Sequence, residues 1–248
     1  PVLSGLGRLF FDSPVGDFHC GLRGFEKRSI IELNLRTTGM EFASEMIVKA
    51  SLFGYRIEEV PTTLSPAGRS RAPHLRTWRD GWRHLRFLLL YSPRWLFLLP
   101  GILMMLLGII GTGVLLIGPV TISGTTFDIH TLLYVAMSIV IGFQLILFAL
   151  FTKVFAISEG LLPEDPRLNR MFRYVKLETG LIAGFILILL GGILTISAYL
   201  NWSRMSFGNL DPVRTFRIAI PGVLALILGF QTVFSSFFLS VLGLKRLG

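Results

Sequence analysis

Three short clusters near the start of the chain hold the side chains best suited to chemistry. Asp17 to Phe25 (DFHCGLRGF) brings a carboxylate, Asp17, and a guanidinium, Arg23, to one loop whose glycines permit tight turns. By itself that loop reads equally well as a structural turn stapled by an Asp and Arg pair. His19 alone indicates little. Gly39 to Met46 (GMEFASEM) sets Glu41 and Glu45 four residues apart, on one face of a helix. The helix dipole also favours carboxylates there, but in an otherwise apolar helix each must either point at a site or find a partner. Gly68 to Arg71 flanks Ser70 with Arg69 and Arg71, two fork-shaped donors and a hydroxyl that suit a phosphate.

The elements around these clusters follow from periodicity. Pro1 to Phe11 is expected to be an amphipathic helix with Val2, Leu3, Leu6, Leu9 and Phe10 as its apolar stripe. Phe25 to Leu35 predicts a short helix, and Gly39 to Gly54 a better one, on the recurrence of Phe42, Met46, Ala50 and Phe53. Tyr55 to Thr63 alternates and meets Pro61, as a strand does. Past Pro73 the pattern is again helical: Leu75, Trp78, Trp82, Leu85 and Leu89 recur, with Arg76, Arg79, Arg83 and Arg86 between them. That combination predicts an interfacial helix in the headgroup plane, its arginines drawn to anionic lipid. With few strands in fewer than 100 residues, the region reads as the back half of an α/β domain.

Composition says where this region is anchored. The chain is 52% hydrophobic and 16% charged, with a mean hydropathy of +0.66, which marks an integral membrane protein. Trp95 to Val120, His130 to Ile157, Leu177 to Leu200 and Phe216 to Leu244 are each long enough to cross a bilayer. The net charge of +9 would suit nucleic acid in a soluble protein. Here the basic residues track the membrane boundaries, so lipid is the expected partner and nucleic acid is not. The positive-inside bias places the N-terminal region, the loop with Arg167, Arg170, Arg173 and Lys176, and the C-terminus with Lys245 and Arg246 in the cytoplasm, in a plasma or inner membrane. Arg204, Arg214 and Arg217 sit on the side this topology makes external. No span has a central Asp, Glu, Lys or Arg, which argues against an ion-coupled transporter or channel. Gln144 and Gln231 are the deepest polar residues, each suited to bonding a neighbouring helix. Gly108, Gly111, Gly113, Gly191 and Gly192 are suited to close helix packing. Cys20 is the only cysteine, so no internal disulfide can form.

Taken in order, the clusters resemble the C-terminal part of the polyprenyl-phosphate glycosyltransferases of glycosyltransferase family 2. The resemblance rests on Asp17, Cys20, Gly21, Arg23 and Phe25, on Gly39, Phe42 and Glu45, on Glu59, Val60 and Pro61, and on Gly68 with Ser70. It covers residues 1 to about 95 of the chain, while the spans match in kind. It implies an α/β fold: residues 1–72 as the C-terminal half of a GT-A domain, 73–94 as the amphipathic interfacial helix, and 95–248 as an all-α bundle of four transmembrane helices. It also implies an enzyme that moves a hexose from a nucleotide sugar to polyprenyl phosphate. Asp17 and Arg23 would line the acceptor side, Glu45 would orient groups there, and Arg69, Ser70 and Arg71 would close on phosphate.

The family holds Mg²⁺ or Mn²⁺ on an Asp-x-Asp motif in its donor half, and no Asp-x-Asp occurs here. The chain begins at Pro1 with neither methionine nor signal pattern, so it reads as a piece of something longer. Alone it is expected to bind no metal and no nucleotide sugar productively, and to be inactive. A membrane scaffold or lipid-carrier translocation partner is the alternative. The oligomeric state stays open, a homo-oligomer included.

Overall fold

The computed structural model describes residues 2–39, 41–63, 77–174 and 176–244. The chain forms two compact units, residues 1–96 with 159–164, and residues 97–158 with 165–248.

The first unit contains helices joined by loops and, among its described residues, no strand. Of its helices α1 (Val2–Phe11), α2 (Lys27–Glu32), α3 (Glu41–Leu52) and α4 (Thr77–Leu90), the first, third and fourth supply Phe11, Ile47, Val48, Phe87 and Leu88 to a core completed by Val15 and Phe18. No α/β half-domain is shown by the described residues. Tyr55 to Thr63, expected as a strand, pairs with no neighbour among the described residues, and a strand exists only where a neighbour completes its hydrogen-bond ladder. Helix faces also differ from the expected stripes. On α1 the buried line is Ser4, Gly7 and Phe11, while Val2 and Leu9 are exposed. Phe18 explains the shift, since a Cβ on Gly7 would stand 2.7 Å from its ring. On α3 the buried residues include Glu41, Ser44, Glu45 and Lys49, while Phe42 and Phe53 face outward.

In the second unit, four helices among the described residues are long and apolar enough to cross a membrane: Arg94–Ile117, Ile129–Ser158, Leu177–Arg204 and Pro212–Gly243. The first opens with a π-helical turn, Arg94–Leu98, before α5 (Leu99–Ile117). Pro100 has no N–H to continue an α-helical ladder there, so the turn widens. Helix α5 pairs with α6 (Ile129–Ser158), and α8 (Leu177–Arg204) pairs with α9 (Pro212–Leu244). The two hairpins meet through α6 and α9, leaving α5 and α8 as the outer members of a row. Gly101, Gly108 and Gly142 let α5 and α6 touch backbone to backbone, as Gly184, Gly191 and Gly229 do for α8 and α9. Gly113 and Gly192 face open space. Gln231 Nε2 donates to Gln144 Oε1 at 2.9 Å, which joins the hairpins at the α6 and α9 seam.

Two features were not anticipated. The loop after α5 is a hairpin, β1 (Val120–Ile122) with β2 (Thr125–Phe127), and its turn residues Ser123 and Gly124 have φ of 49° and 81°. Two positive φ values in a two-residue turn match the twist of antiparallel strands. The loop between α6 and α8 holds α7 (Pro166–Tyr174), whose Leu168 and Met171 pack with Val154 and Leu239 while Arg167 and Arg170 stay exposed. Asp165 starts α7 by accepting from the Arg167 N–H at 2.8 Å and pairs with Lys153. At the other end of the row, Arg217 pairs with Asp128 at 2.9 Å. One of the basic residues on the expected external side is thus neutralised locally.

Candidate functional site

The site is built from the bottom by Glu45, whose position on the buried side of α3 exposes none of its side chain. Its Oε1 and Oε2 accept from the Arg36 N–H at 3.0 Å each, and Oε2 accepts from the Thr37 N–H at 2.7 Å and hydroxyl at 2.6 Å. Tyr91 donates its hydroxyl at 3.0 Å, and the Lys49 ammonium lies at 3.0 Å. Burial pushes the Glu45 carboxyl up, but the donors of Thr37, Arg36 and Lys49 outweigh it and hold the group at about 2. Lys49 spends its other donors on the carbonyls of Leu33 and Asn34, at 3.1 and 2.7 Å. Burial and the nearby Glu45 carboxylate raise the Tyr91 hydroxyl above its ordinary value. Glu45 is therefore a filled hub tying α3 to the preceding loop and to the end of α4, with its lone pairs already used.

Above this hub, Arg23 makes no ion pair with Asp17. It donates from Nε to the Cys20 carbonyl at 2.8 Å, from Nη2 to Phe18 at 2.7 Å and from Nη1 to Ala43 on α3 at 2.5 Å. Asp17 turns to its own loop and accepts from the His19 N–H at 2.9 Å. Glu59 reaches in from the Tyr55 to Thr63 segment, its Oε1 accepting from the N–H groups of Gly16 at 3.0 Å and Asp17 at 3.2 Å. Three sequence clusters, around Asp17, Glu45 and Glu59, thus form one hydrogen-bonded assembly. Asp17 stays exposed at its rim.

Helix α4 closes one side of the assembly. Arg83 forms a two-pronged pair with Glu41, at 2.7 and 3.1 Å, instead of standing free for lipid. Burial pushes the Glu41 carboxyl up, but the Arg83 bond and charge bring it below its ordinary value. His84, 5% exposed, meets Ser44 Oγ at 3.1 Å and contacts the His19 ring edge-on at 4.5 Å between centroids. Neither histidine signals the other in the sequence, because they lie 65 positions apart. Trp78 is 92% exposed and Trp82 60%, so the tryptophans point away from the core that holds Phe87 and Leu88. Arg79 pairs with Asp80 at 3.3 Å, and Arg86 is exposed. Arg69, Ser70, Arg71 and Arg76 lie outside the described residues.

Acid should loosen this arrangement in two stages. Burial lowers both histidines from 6.5, and their mutual repulsion lowers His19 further. Asp17 raises His19 and Arg23 lowers it, while Glu41 and Asp80 raise His84 and Arg83 lowers it. A group whose folded value is depressed binds its proton first in the unfolded chain. The histidine contribution is thus complete above about pH 6.5 and is lost below it. Glu41 and Glu45 add a second loss as pH falls from 4.5, the Glu45 part continuing toward about 2. Amide exchange of α4, corrected for intrinsic rate, is expected to accelerate between pH 7.5 and 5 in the native protein and much less in His84→Gln. An equal acceleration in both proteins would remove His84 from the explanation.

Among the described residues no three His, Cys, Asp or Glu side chains converge as a metal site.

In comparison with known proteins, residues 150–243, which take in the end of α6, α7, α8 and nearly all of α9, match the glycosyltransferase family 2 C-terminal transmembrane region. Over 248 residues the chain is 33% identical to the low-salt glycan biosynthesis hexosyltransferase Agl6 of Haloferax volcanii. The alignment takes in 98% of this chain and 57% of that protein, so the chain is a distant homologue spanning little more than half of its relative's length. No solved structure matches it.

Proposed function

We propose that this chain supplies the acceptor side and the membrane platform of a family 2 hexosyltransferase that moves a hexose from a nucleotide sugar to a polyprenyl phosphate. The observation that carries the reading is the convergence of the Asp17, Glu45 and Glu59 clusters on one assembly, through the Arg23 bond to Ala43 and the Glu59 bonds to Gly16 and Asp17. The homologous hexosyltransferase supports the reaction class.

The chemistry asks little of a general base. The attacking oxygen belongs to a phosphate already ionised at neutral pH, so the main task is to hold two phosphorylated substrates in line. In this reading Asp17 faces the reacting groups from the rim. Arg23, its donors spent on carbonyls, shapes the loop, and Glu45 positions α3 beneath it. Arg69, Ser70 and Arg71 take the phosphate, and the exposed Trp78 and Trp82 enter the headgroup layer with Arg79 and Arg86 beside them. A divalent ion, Mg²⁺ or Mn²⁺, would belong to the donor half of the full-length protein and would neutralise the leaving diphosphate.

In the full-length protein in vesicles, Arg69→Ala with Arg71→Ala is expected to cut hexosyl transfer to polyprenyl phosphate by two orders of magnitude or so, in line with loss of electrostatic stabilisation. Transfer at the native rate would reject the phosphate role. Absence of transfer from any nucleotide hexose by the unaltered protein would favour a membrane scaffold.

A further inference from the structure

We propose that Glu59 is a positioning residue that holds the loop carrying Asp17 in its working shape. The proposal rests on the transferase reading above, and its structural half can be tested apart from that reading.

Glu59 reaches the loop because of where its segment is pinned. Tyr55 and Ile57 are half-buried while Arg56 and Glu58 are exposed, so alternate side chains tie the segment to the unit just before Glu59. Ile57 packs against the core of the first unit, and the Tyr55 hydroxyl donates to Glu32 at 3.1 Å. Val60 precedes Pro61, which restricts it to extended backbone and fixes the direction in which the segment leaves. Glu59 is thereby delivered to a loop 42 residues upstream in the chain.

The loop gives it two adjacent donors. Gly16 and Asp17 both aim their N–H groups at Glu59 Oε1, at 3.0 and 3.2 Å, and a charged acceptor makes such bonds stronger than neutral ones. The fit is close: a Cβ on Gly16 would lie 3.3 Å from Glu59 Oε2. From the other side Arg23 holds the carbonyls of Phe18 and Cys20, and within the loop Asp17 accepts from His19. Glu59 fixes the amides on one flank and Arg23 the carbonyls on the other, so the Asp17 carboxylate leaves a backbone restrained on both sides. Arg23 is anchored to α3 through Ala43, whereas Glu59 is the restraint contributed by the Tyr55 to Thr63 segment. Removing it frees Asp17 without touching the core, since Glu59 is exposed.

The test compares Glu59→Ala and Glu59→Gln in the full-length protein, using amide exchange over residues 16–19 and the kinetics of hexosyl transfer to polyprenyl phosphate. Alanine is expected to accelerate exchange in that segment and lower kcat on the order of 10- to 100-fold, with KM for the nucleotide sugar little changed, as for a misplaced group. Glutamine keeps a carbonyl oxygen as acceptor and is expected to recover the larger part of both losses. Unchanged exchange in Glu59→Ala would overturn the clamp itself. Accelerated exchange with native kcat would overturn the positioning role. Accelerated exchange in a protein with no transferase activity at all would sink the functional reading and the positioning role together, leaving only the structural clamp.

Discussion

Glu45→Ala is expected to unfold the first unit or leave it only marginally folded. The substitution removes one side chain but strands the donors around it, namely two backbone amides, two hydroxyls and the ammonium of Lys49. Lys49 is the worst affected, being 1% exposed with its one carboxylate partner among the described residues gone. Breaking one partner of a buried ion pair costs roughly 3–5 kcal/mol, which is comparable with the whole stability of many domains. The expected readout is protease cleavage within α3 and α4 under conditions where the native protein resists it. The control is the double change Glu45→Leu with Lys49→Met, which removes both charges of the pair and should be less damaging than Glu45→Ala alone. If the double variant were the worse of the two, the ion pair would not be the source of the effect.

In the membrane unit, Gly191→Leu is expected to force α8 away from α9, whereas Gly192→Leu at the next position should be tolerated. A Cβ at Gly191 would meet the backbone N of Leu226 at 2.7 Å and the carbonyl of Gly222 at 2.8 Å, neither of which can rotate aside. At Gly192 it would meet nothing within 4 Å. Overpacking a close contact costs about 1–3 kcal/mol, and a leucine beyond the Cβ falls at the upper end. Thermal denaturation in detergent should therefore show a large drop for position 191 and little for position 192. Equal melting temperatures would mean that the two helices do not pack through Gly191.

Much of the membrane architecture is legible in the sequence, because a span is defined by length and hydropathy over twenty residues or more and needs no partner to be recognised. The pairing of Gln144 with Gln231 is foreshadowed by their depth in apolar runs. The first unit is less transparent. Of the apolar recurrence in α3, Met46 is buried and Ala50 half-buried, while Phe42 and, just past the helix end, Phe53 are exposed, and the inner side holds Glu41, Ser44, Glu45 and Lys49 beside Ile47 and Val48. A helix that buries charge among its apolar residues blurs the rule by which faces are assigned. The need for a partner is visible at Glu41 and Glu45, but the partners are not: Lys49 is one turn away, whereas Arg83 and Tyr91 arrive from α4. Asp17 and Arg23 look like a natural pair at six positions apart, yet the guanidinium satisfies three carbonyls instead. Ser123 and Gly124 spell out a hairpin turn, a signal available from the sequence itself.

The helix row has a further consequence for how the protein is made. Each glycine-packed hairpin is complete in itself, so α5 with α6 can settle in the bilayer before α8 and α9 have been synthesised, and the second pair can do the same without a template. That arrangement allows insertion as two events followed by a lateral docking step. The amide bond between Gln144 and Gln231 serves as the registration mark for that docking, since only one vertical offset of the hairpins brings the two side chains level.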